Sequence, residues 1–178
     1  MSRVKFFDAT LRDGSHAIKH QLTKSVIESY CRAIDDAGIY TVIVGHGNGL
    51  GASSLQVGLS LLSDEDMLIT ARNYLNKTKL GVYLIPGFGT INDDLIPAIN
   101  KGVSLFKVGC HCTEADITRQ HIEFLRKSEI EVYGVLMMYH MASTEKLLEE
   151  AQKMQAYGAN GGIIMDSAGA STPEMVKK

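Results

Sequence analysis

The sequence contains no long hydrophobic run. No window approaches the roughly 20 consecutive apolar residues that a helix needs to span a bilayer, and the N-terminal MSRVKFF lacks the apolar stretch of a secretory signal peptide. Membrane-spanning and secreted proteins are therefore not expected, and we predict a soluble, unprocessed chain.

Cysteine, excess charge and linkers are also scarce. Three cysteines are an odd number and do not make a disulfide framework, which predicts a reducing, cytoplasmic location. The formal net charge of -2 gives no electrostatic reason to expect nucleic acid or an anionic membrane as partner. Since no proline- or serine-rich linker interrupts the 178 residues, they are predicted to form one domain, 1–178.

Short β-type runs alternate with longer segments of helical period. The predicted strands are 4–7, 40–44, 80–85, 105–108, 132–137 and 162–165, and the predicted helices are 24–37, 64–76, 116–127 and 143–157. Thr23 and Ser63 stand where N-caps belong, and Gly38 and Gly158 end their helices. Strands that alternate with helices of this length imply βαβ units and a parallel sheet.

Polar residues follow nearly every predicted strand, as in 8–13, 46–48, 110–116, 139–140 and 166–167. In a TIM barrel the chemistry sits at the C-terminal ends of several strands, whereas an open doubly wound sheet gathers it where the strand order reverses. The distribution favours an α/β fold of the TIM (β/α)₈ type. Because a full barrel typically needs about 250 residues, we expect about six βα units, truncated before strands 7 and 8. Alternatively, another chain supplies the missing units, or the sheet is open.

The segment after the first strand carries Arg12, Asp13 and His16 within five positions. A carboxylate is a hard ligand suited to Mg²⁺ or Mn²⁺, an arginine can clamp a carboxylate or an enolate, and a histidine can transfer protons near neutral pH. An ordinary surface ion pair in a loop is the equally weighted alternative.

The glycine-rich GHGNGLGA, residues 45–52, contains a G-x-G-x-x-A string that resembles a dinucleotide fingerprint. That string should open a helix, and no clean cap occurs before Ser63, so we favour tight turns beneath a substrate. His46 is then either a pocket residue or an exposed loop imidazole. His140 is likewise a pocket or loop residue, and Asp166-Ser167 is either a helix cap or a substrate contact.

Two further cysteines, Cys110 and Cys112, form a C-x-C pair. Two thiols fall short of the four ligands of a structural zinc site, so both are predicted to pack as small hydrophobic residues.

Taken together, the motifs resemble a family of metal-dependent aldolases. Asp8-x-Thr10-Leu11-Arg12-Asp13-Gly14 is similar to the strand-1 signature shared by 3-hydroxy-3-methylglutaryl-CoA lyase, isopropylmalate and homocitrate synthases, and 4-hydroxy-2-oxovalerate aldolase. Further segments resemble the 4-hydroxy-2-oxovalerate aldolases through essentially the whole chain: SHAIKHQ (15–21), HGNGLGASS (46–54), PGFGT (86–90), HCTEAD (111–116), QHIE (120–123), LMMYHM (136–141) and DSAGA (166–170).

The resemblance implies the N-terminal part of a TIM barrel and class II aldol cleavage of 4-hydroxy-2-oxopentanoate to pyruvate and acetaldehyde, in the catabolism of aromatic compounds. It implies Asp13 as a ligand of a divalent metal, typically Mn²⁺, with Mg²⁺ or Co²⁺ as alternatives. Arg12 would bind the carboxylate and the pyruvate enolate, and His16 would take the proton of the C4 hydroxyl.

The resemblance also implies a substrate pocket and partners. Ser167 would contact the pyruvate moiety, Tyr83 and Ile85, alternate residues of the third strand, would wall the aldehyde side, and His46 would line the pocket. The intact protein would be an oligomer that docks an acylating acetaldehyde dehydrogenase.

Departures from the family pattern leave two alternatives. The family's His-x-His metal ligands after strand 7, and a later catalytic tyrosine, do not occur in this sequence, so the 178-residue chain alone is expected to be inactive. One alternative is an enzyme that condenses acetyl-CoA with a 2-oxo acid or resembles the HMG-CoA lyases. The other is a non-catalytic partial-barrel subunit.

Overall fold

The computed structural model describes residues 4–177 and divides into two compact units, with the boundary between Phe106 and Lys107. Both units consist of short β-strands followed by helices. The strands are β1 (Phe7–Asp8), β2 (Thr41–Ile43), β3 (Lys79–Leu84), β4 (Leu105–His111), β5 (Glu131–Met137) and β6 (Gly161–Met165). The α-helices are α1 (Lys24–Asp36), α2 (Asp64–Arg72), α3 (Ile96–Asn100), α4 (Arg119–Lys127), α5 (Thr144–Ala156) and α6 (Pro173–Val176).

In the first unit, β1, β2 and β3 pair in parallel in that order, with Phe7 opposite Thr41 and Val42 opposite Leu80. The side chain of Thr23 accepts a hydrogen bond from the N–H of Val26 and caps α1, because the first N–H groups of a helix lack intrahelical partners. The apolar core contains side chains from both helices and strands, including Ile27, Cys31, Val42, Ile43, Met67, Leu68, Val82 and Leu84.

A buried carboxylate joins the end of α1 to the start of β3. Oδ1 of Asp35 accepts hydrogen bonds from the backbone N–H groups of Asn76, Lys77 and Thr78 at 2.9, 2.7 and 2.8 Å. These three N–H groups precede the N–H of Lys79, which donates to the carbonyl of Tyr40, and Asp35 is their acceptor. The contact therefore sets where β3 begins.

The second unit contains most of β4, from Lys107 on, followed by β5 and β6 as neighbours in that order, and β5 and β6 pair in parallel from Tyr133 opposite Gly161 to Met137 opposite Met165. α5 begins after Ser143, whose side chain accepts from the N–H of Lys146. Its fully buried Glu150 accepts a hydrogen bond from the N–H of Ala115 at 2.8 Å, where a 3₁₀ turn, Ala115–Thr118, leads into α4.

All six predicted strands occur, with shifted ends. β1 is Phe7–Asp8 rather than 4–7, and β3 ends at Leu84, so Ile85 lies just beyond the strand on which it was predicted. The predicted helix 64–76 ends at Arg72, and a turn follows in which the N–H groups of Tyr74 and Leu75 donate to the carbonyls of Ala71 and Arg72. Along α1, Cys31 is fully buried, whereas Val26 is 45% exposed.

A helical segment between β3 and β4 was missed. A π-helical turn, Ile91–Leu95, runs into α3, and Thr90 caps it by accepting from the N–H of Asp93 at 3.1 Å. The Thr-x-x-Asp pattern was the available signal, and Pro97 concealed it because proline usually interrupts a helix; here Pro97 occupies the first turn of α3, where its missing N–H is tolerated.

No helix formed by the described part of the chain is long and apolar enough to cross a membrane. The single domain over 1–178 stays a prediction.

Candidate active site

The segment that follows β1 forms a tight turn and a 3₁₀ helix, Asp13–Ile18. The N–H groups of Arg12 and Asp13 both donate to the carbonyl of Ala9, at 3.0 and 2.7 Å, and the hydroxyl of Ser15 donates to the carbonyl of Arg12 at 2.7 Å. Residues three apart eclipse one another in a 3₁₀ helix, so Asp13 and His16 project from the same side.

Arg12 is a buried cation, with 7% of its surface exposed. Its Nη1 donates to the carbonyl oxygen of Gly47 at 3.0 Å and lies 3.0 Å from Oδ1 of Asp13. Its guanidinium lies over the ring of Tyr83, 4.8 Å from the centroid. Burial lowers the pKa of Arg12, although Asp13 and Tyr83 partly offset this effect. The buried Nε has no hydrogen-bond partner among the described residues, which leaves a donor available.

Asp13 and His16 are exposed beside this arginine. The side chain of Asp13 is 66% exposed, so its ion pair with Arg12 leaves oxygen atoms open to solvent. The ring of His16 lies against Gly47, and a Cβ added to Gly47 would stand 2.4 Å from Nε2 of His16. Arg12 and His16 therefore both lie against Gly47, and Asp13 pairs with Arg12.

Two further histidines are buried beneath this cluster. The rings of His20 and His46 stack with centroids 3.7 Å apart and planes 24° apart, and the residues are 7% and 1% exposed. The ring centroids of His16 and His20 are 5.0 Å apart. His46 is thus a buried residue rather than an exposed loop imidazole. His20 had no predicted role, and only its spacing from His16 could have indicated one.

The glycine-rich segment forms turns, not the start of a helix, since the next helix begins at Asp64. The dinucleotide reading is therefore not supported. Gly49 has a φ of 96°, and a Cβ there would lie 2.3 Å from the carbonyl oxygen of Tyr83. Leu50 donates its N–H to the same oxygen at 2.9 Å. The loop after β2 is thereby packed directly against β3, with the Tyr83 ring buried under Arg12.

Ile85 and Ser167, two other predicted pocket residues, each make hydrogen bonds to nearby backbone groups. Ile85, partly buried, bends the chain after β3, and its carbonyl accepts from the N–H groups of Phe88 and Gly89. In the second unit, exposed Ser167 accepts a hydrogen bond at Oγ from the N–H of Met138, at 2.8 Å. Nδ1 of His140 lies 3.9 Å from Oδ1 of Asp166.

Asp166 acts as a turn cap. Its carboxylate accepts from the N–H groups of Ala170 and Ser171 at 3.1 and 2.9 Å, and these bonds, led by that of Ser171, lower its pKa.

Both Cys110 and Cys112 are fully buried, and burial raises the pKa of Cys110 to about 12. They are protonated thiols that pack as small hydrophobic residues, as predicted.

The described residues do not by themselves fit a divalent metal ion. Residues 4–177 contain no group of three or more histidine, cysteine, aspartate or glutamate side chains arranged to hold one. Asp13 offers one carboxylate, and the Nδ1 atoms of His20 and His46 already face backbone N–H groups. A metal at Asp13 would need ligands from elsewhere.

Solved structures share the fold of this chain. The N-terminal domain of a candidate aldolase from Bacteroides vulgatus matches 98% of the chain and 58% of that protein, with a TM-score of 0.79 and 21% identity. The carboxyl transferase domain of Rhizobium etli pyruvate carboxylase matches 99% and 33%, with a TM-score of 0.75 and 15% identity. 2,3-dimethylmalate lyase matches 97% and 59%, with a TM-score of 0.61 and 14% identity. The predicted class, α/β of the TIM-barrel type, is confirmed.

No protein-family model matches the chain. Curated proteins named 4-hydroxy-2-oxovalerate aldolase, a carbon–carbon lyase, match nearly all of it. That of Pectobacterium atrosepticum is 54% identical over 99% of the chain, that of Salinispora arenicola 52% over 99%, and that of Spirochaeta aurantia 55% over 96%. The chain spans about half the length of these relatives, at 51%, 51% and 50%. The resemblance inferred from the motifs is confirmed, and the chain is a homologue, over nearly its whole length, of the proteins named 4-hydroxy-2-oxovalerate aldolase.

Proposed function

We propose that the whole protein represented by this chain is a class II aldolase that cleaves 4-hydroxy-2-oxopentanoate to pyruvate and acetaldehyde. The observation that carries the proposal is the buried Arg12, which has an unpartnered Nε and pairs through Nη1 with the exposed Asp13, in the same short segment as the exposed His16. The proposal is supported by 52–55% identity to relatives of that name.

His16 is the acid/base that transfers the proton. Its imidazole takes the proton of the C4 hydroxyl, the C4–O bond becomes the aldehyde carbonyl, and the C3–C4 bond breaks. The electron pair of that bond forms the C2=C3 double bond, and the π pair of the C2 carbonyl moves onto its oxygen, giving the enolate of pyruvate. A proton returned to C3 completes pyruvate. Histidine suits both transfers because its ordinary pKa lies close to neutral pH.

Arg12 stabilises the negative charge that develops on the C2 oxygen. A buried guanidinium, already oriented by the Gly47 carbonyl and the Tyr83 ring, needs little reorganisation when charge appears on the C2 oxygen. Its planar donors also match the substrate carboxylate, which a lysine ammonium would bind as a point charge.

We also propose a divalent cation, Mn²⁺ or else Mg²⁺ or Co²⁺, with Asp13 as one ligand. The steps given above belong to the residues of this chain alone, because the described residues lack a full ligand set. Ser167 is proposed for the pyruvate moiety, Tyr83 and Ile85 for the aldehyde side, and His46 for the pocket. An oligomer in the cytoplasm, a partner acylating acetaldehyde dehydrogenase, and a role in the catabolism of aromatic compounds complete the proposal.

The test is an assay of the whole protein with Mn²⁺ and 4-hydroxy-2-oxopentanoate, in which lactate dehydrogenase reports pyruvate. Pyruvate release that falls in Arg12→Lys, Asp13→Asn and His16→Ala is the expected result. Release of free thiol from acetyl-CoA with a 2-oxo acid would instead identify a condensing enzyme. Absence of pyruvate, or activity indifferent to Asp13→Asn, would overturn the proposal.

A further inference from the structure

We infer that His46, stacked on His20, is a positioning residue of this site, which holds the Gly47–Asn48 peptide so that the Gly47 carbonyl orients Arg12. The inference rests on the proposed function for its catalytic consequence. The contacts themselves all lie within the first unit.

The two histidines bind successive peptide units. Nδ1 of His46 accepts the N–H of Asn48 at 3.0 Å, and Nδ1 of His20 accepts the N–H of Gly47 at 3.4 Å. An Nδ1 that accepts a hydrogen bond carries no proton, so each neutral ring is protonated at Nε2. Consistent with this, Nε2 of His46 lies 3.1 Å from the carbonyl oxygen of Gly58 and donates to it.

The surroundings keep both rings neutral. Burial lowers the pKa of His20, the nearby His16 lowers it further, and a hydrogen bond to the Val57 backbone partly opposes both effects. Burial and then His20 lower the pKa of His46, against the hydrogen bond to Gly58. The hydroxyl of Ser15 is the other polar group at Nδ1 of His20, 3.2 Å away. A neutral stacked pair avoids the repulsion of two buried cations.

The peptide held in this way supports two proposed functional groups. The carbonyl of Gly47 accepts from Nη1 of Arg12, and its Cα faces the ring of His16. A displacement of this peptide would therefore move the guanidinium and the imidazole together. Catalysis is sensitive to such shifts, since a misplacement of about 1 Å can lower a rate by about 100-fold.

His20 and His46 also form hydrogen bonds with the loop that contains Gly58 and Leu61. Besides the bond from His46 to Gly58, the N–H of Leu61 donates to the carbonyl of His20 at 3.1 Å, and Ser54 and Gly58 form an isolated bridge. His46 could therefore act through its Nδ1 on the Gly47–Asn48 peptide, or through its Nε2 on the loop. The two routes are separable, because each ring nitrogen has its own partner.

Two substitutions separate these routes. The amide oxygen of asparagine can take the place of Nδ1, and the amide nitrogen of glutamine can take the place of Nε2. In the whole protein, His46→Gln should lower kcat on the order of 10- to 100-fold with a smaller change in KM, whereas His46→Asn, which keeps the acceptor, should recover most of that loss. His121→Gln, on α4 in the second unit, is the matched control and should retain activity.

Equal losses in His46→Asn and His46→Gln, at equal urea stability, would overturn the inference, as would retained kcat in His46→Gln. A second measurement does not depend on activity. Long-range ¹H–¹⁵N spectra of the wild-type chain should show His46 and His20 neutral and protonated at Nε2 at pH 7. A proton on Nδ1 of His46, or a cationic His46, would refute the inference even if His46→Gln failed to fold. Wild-type protein without aldolase activity would refute the proposed function, while the spectra would still decide the role of His46 in holding the peptide.

Discussion

His16 and Gly47 are in such close contact that a methyl group could not be placed between them. A Cβ built on Gly47 would lie 2.4 Å from Nε2 and 2.5 Å from Cε1 of His16. The same glycine accepts the hydrogen bond of Arg12 through its carbonyl. One small residue after β2 thus makes room for the proposed acid/base and holds the proposed enolate-binding group.

Gly47→Ala is expected to impair activity more than stability. Its φ is not in the left-handed region, and the atoms it meets belong to a side chain that can rotate away, so the fold should tolerate the change. The displaced His16 ring should lower kcat of the whole protein on the order of 100-fold. Gly162→Ala on β6, where a Cβ would meet nothing within 4 Å, is the control in the pyruvate assay and in urea unfolding. An unchanged kcat in Gly47→Ala would show that the position of His16 is not critical.

Gly49→Ala, two residues further on, is expected to lower the stability of the fold more than the catalytic activity. The φ of 96° disfavours any L side chain, and the added Cβ would lie 2.3 Å from a backbone oxygen, that of Tyr83. Since neither the strand nor the loop can move cheaply, we expect a loss of at least about 2 kcal/mol in the free energy of unfolding. Urea denaturation of the chain measures it. A loss below that of Gly162→Ala would mean that the loop after β2 repacks freely.

These contacts also explain what the sequence could and could not predict. The alternation of strands and helices, and the caps at Thr23 and Ser63, follow from local chemistry and were predicted. The proximity of Arg12, Asp13 and His16 follows from their spacing in one short segment. The burial of His20 could not be predicted, because it depends on contacts with Gly58 and Leu61, in a loop that is distant in the sequence.

The acid stability of the first unit should depend on Asp35. Hydrogen bonds from the backbone, that of Thr78 first, lower the pKa of Asp35 below its ordinary value of 3.8. A lowered pKa contributes stability that is present above the unfolded value and is lost as the pH falls through the folded one. Asp35→Ala, which leaves three N–H groups without this acceptor, should cost about 2 kcal/mol near pH 7.

The difference in unfolding free energy between wild type and Asp35→Ala should shrink below pH 4, as measured by urea denaturation at several pH values. Asp36→Ala, the exposed neighbour, is the matched control. A difference that does not vary between pH 7 and pH 2 would contradict the assignment of the stability to the ionised carboxylate.

Glu150 should play the corresponding part in the second unit. Burial alone would raise its pKa, but hydrogen bonds from Lys146, Lys153 and the N–H of Ala115 outweigh this and lower it to about 2. Its contribution to stability should therefore be present above pH 4.5 and decline as the pH falls toward 2. Glu150→Gln should be destabilised near neutral pH and lose this pH dependence. Glu149→Gln, whose carboxylate is exposed, should change little, and an equal effect of the two substitutions would contradict the importance of burial.

Metal binding distinguishes what this chain supplies from what the whole protein needs. Asp13 is 66% exposed and pairs with Arg12, and residues 4–177 offer no group of three ligands around it. A lone carboxylate that competes with a guanidinium should bind Mn²⁺ no more tightly than about 1 mM. Calorimetric titration of the 178-residue chain should therefore give the same weak heats for wild type and Asp13→Asn. In the whole protein, by contrast, Asp13→Asn should weaken Mn²⁺ binding by at least about tenfold. Micromolar binding to the 178-residue chain that disappears in Asp13→Asn would instead mean that the chain's own residues complete the metal site.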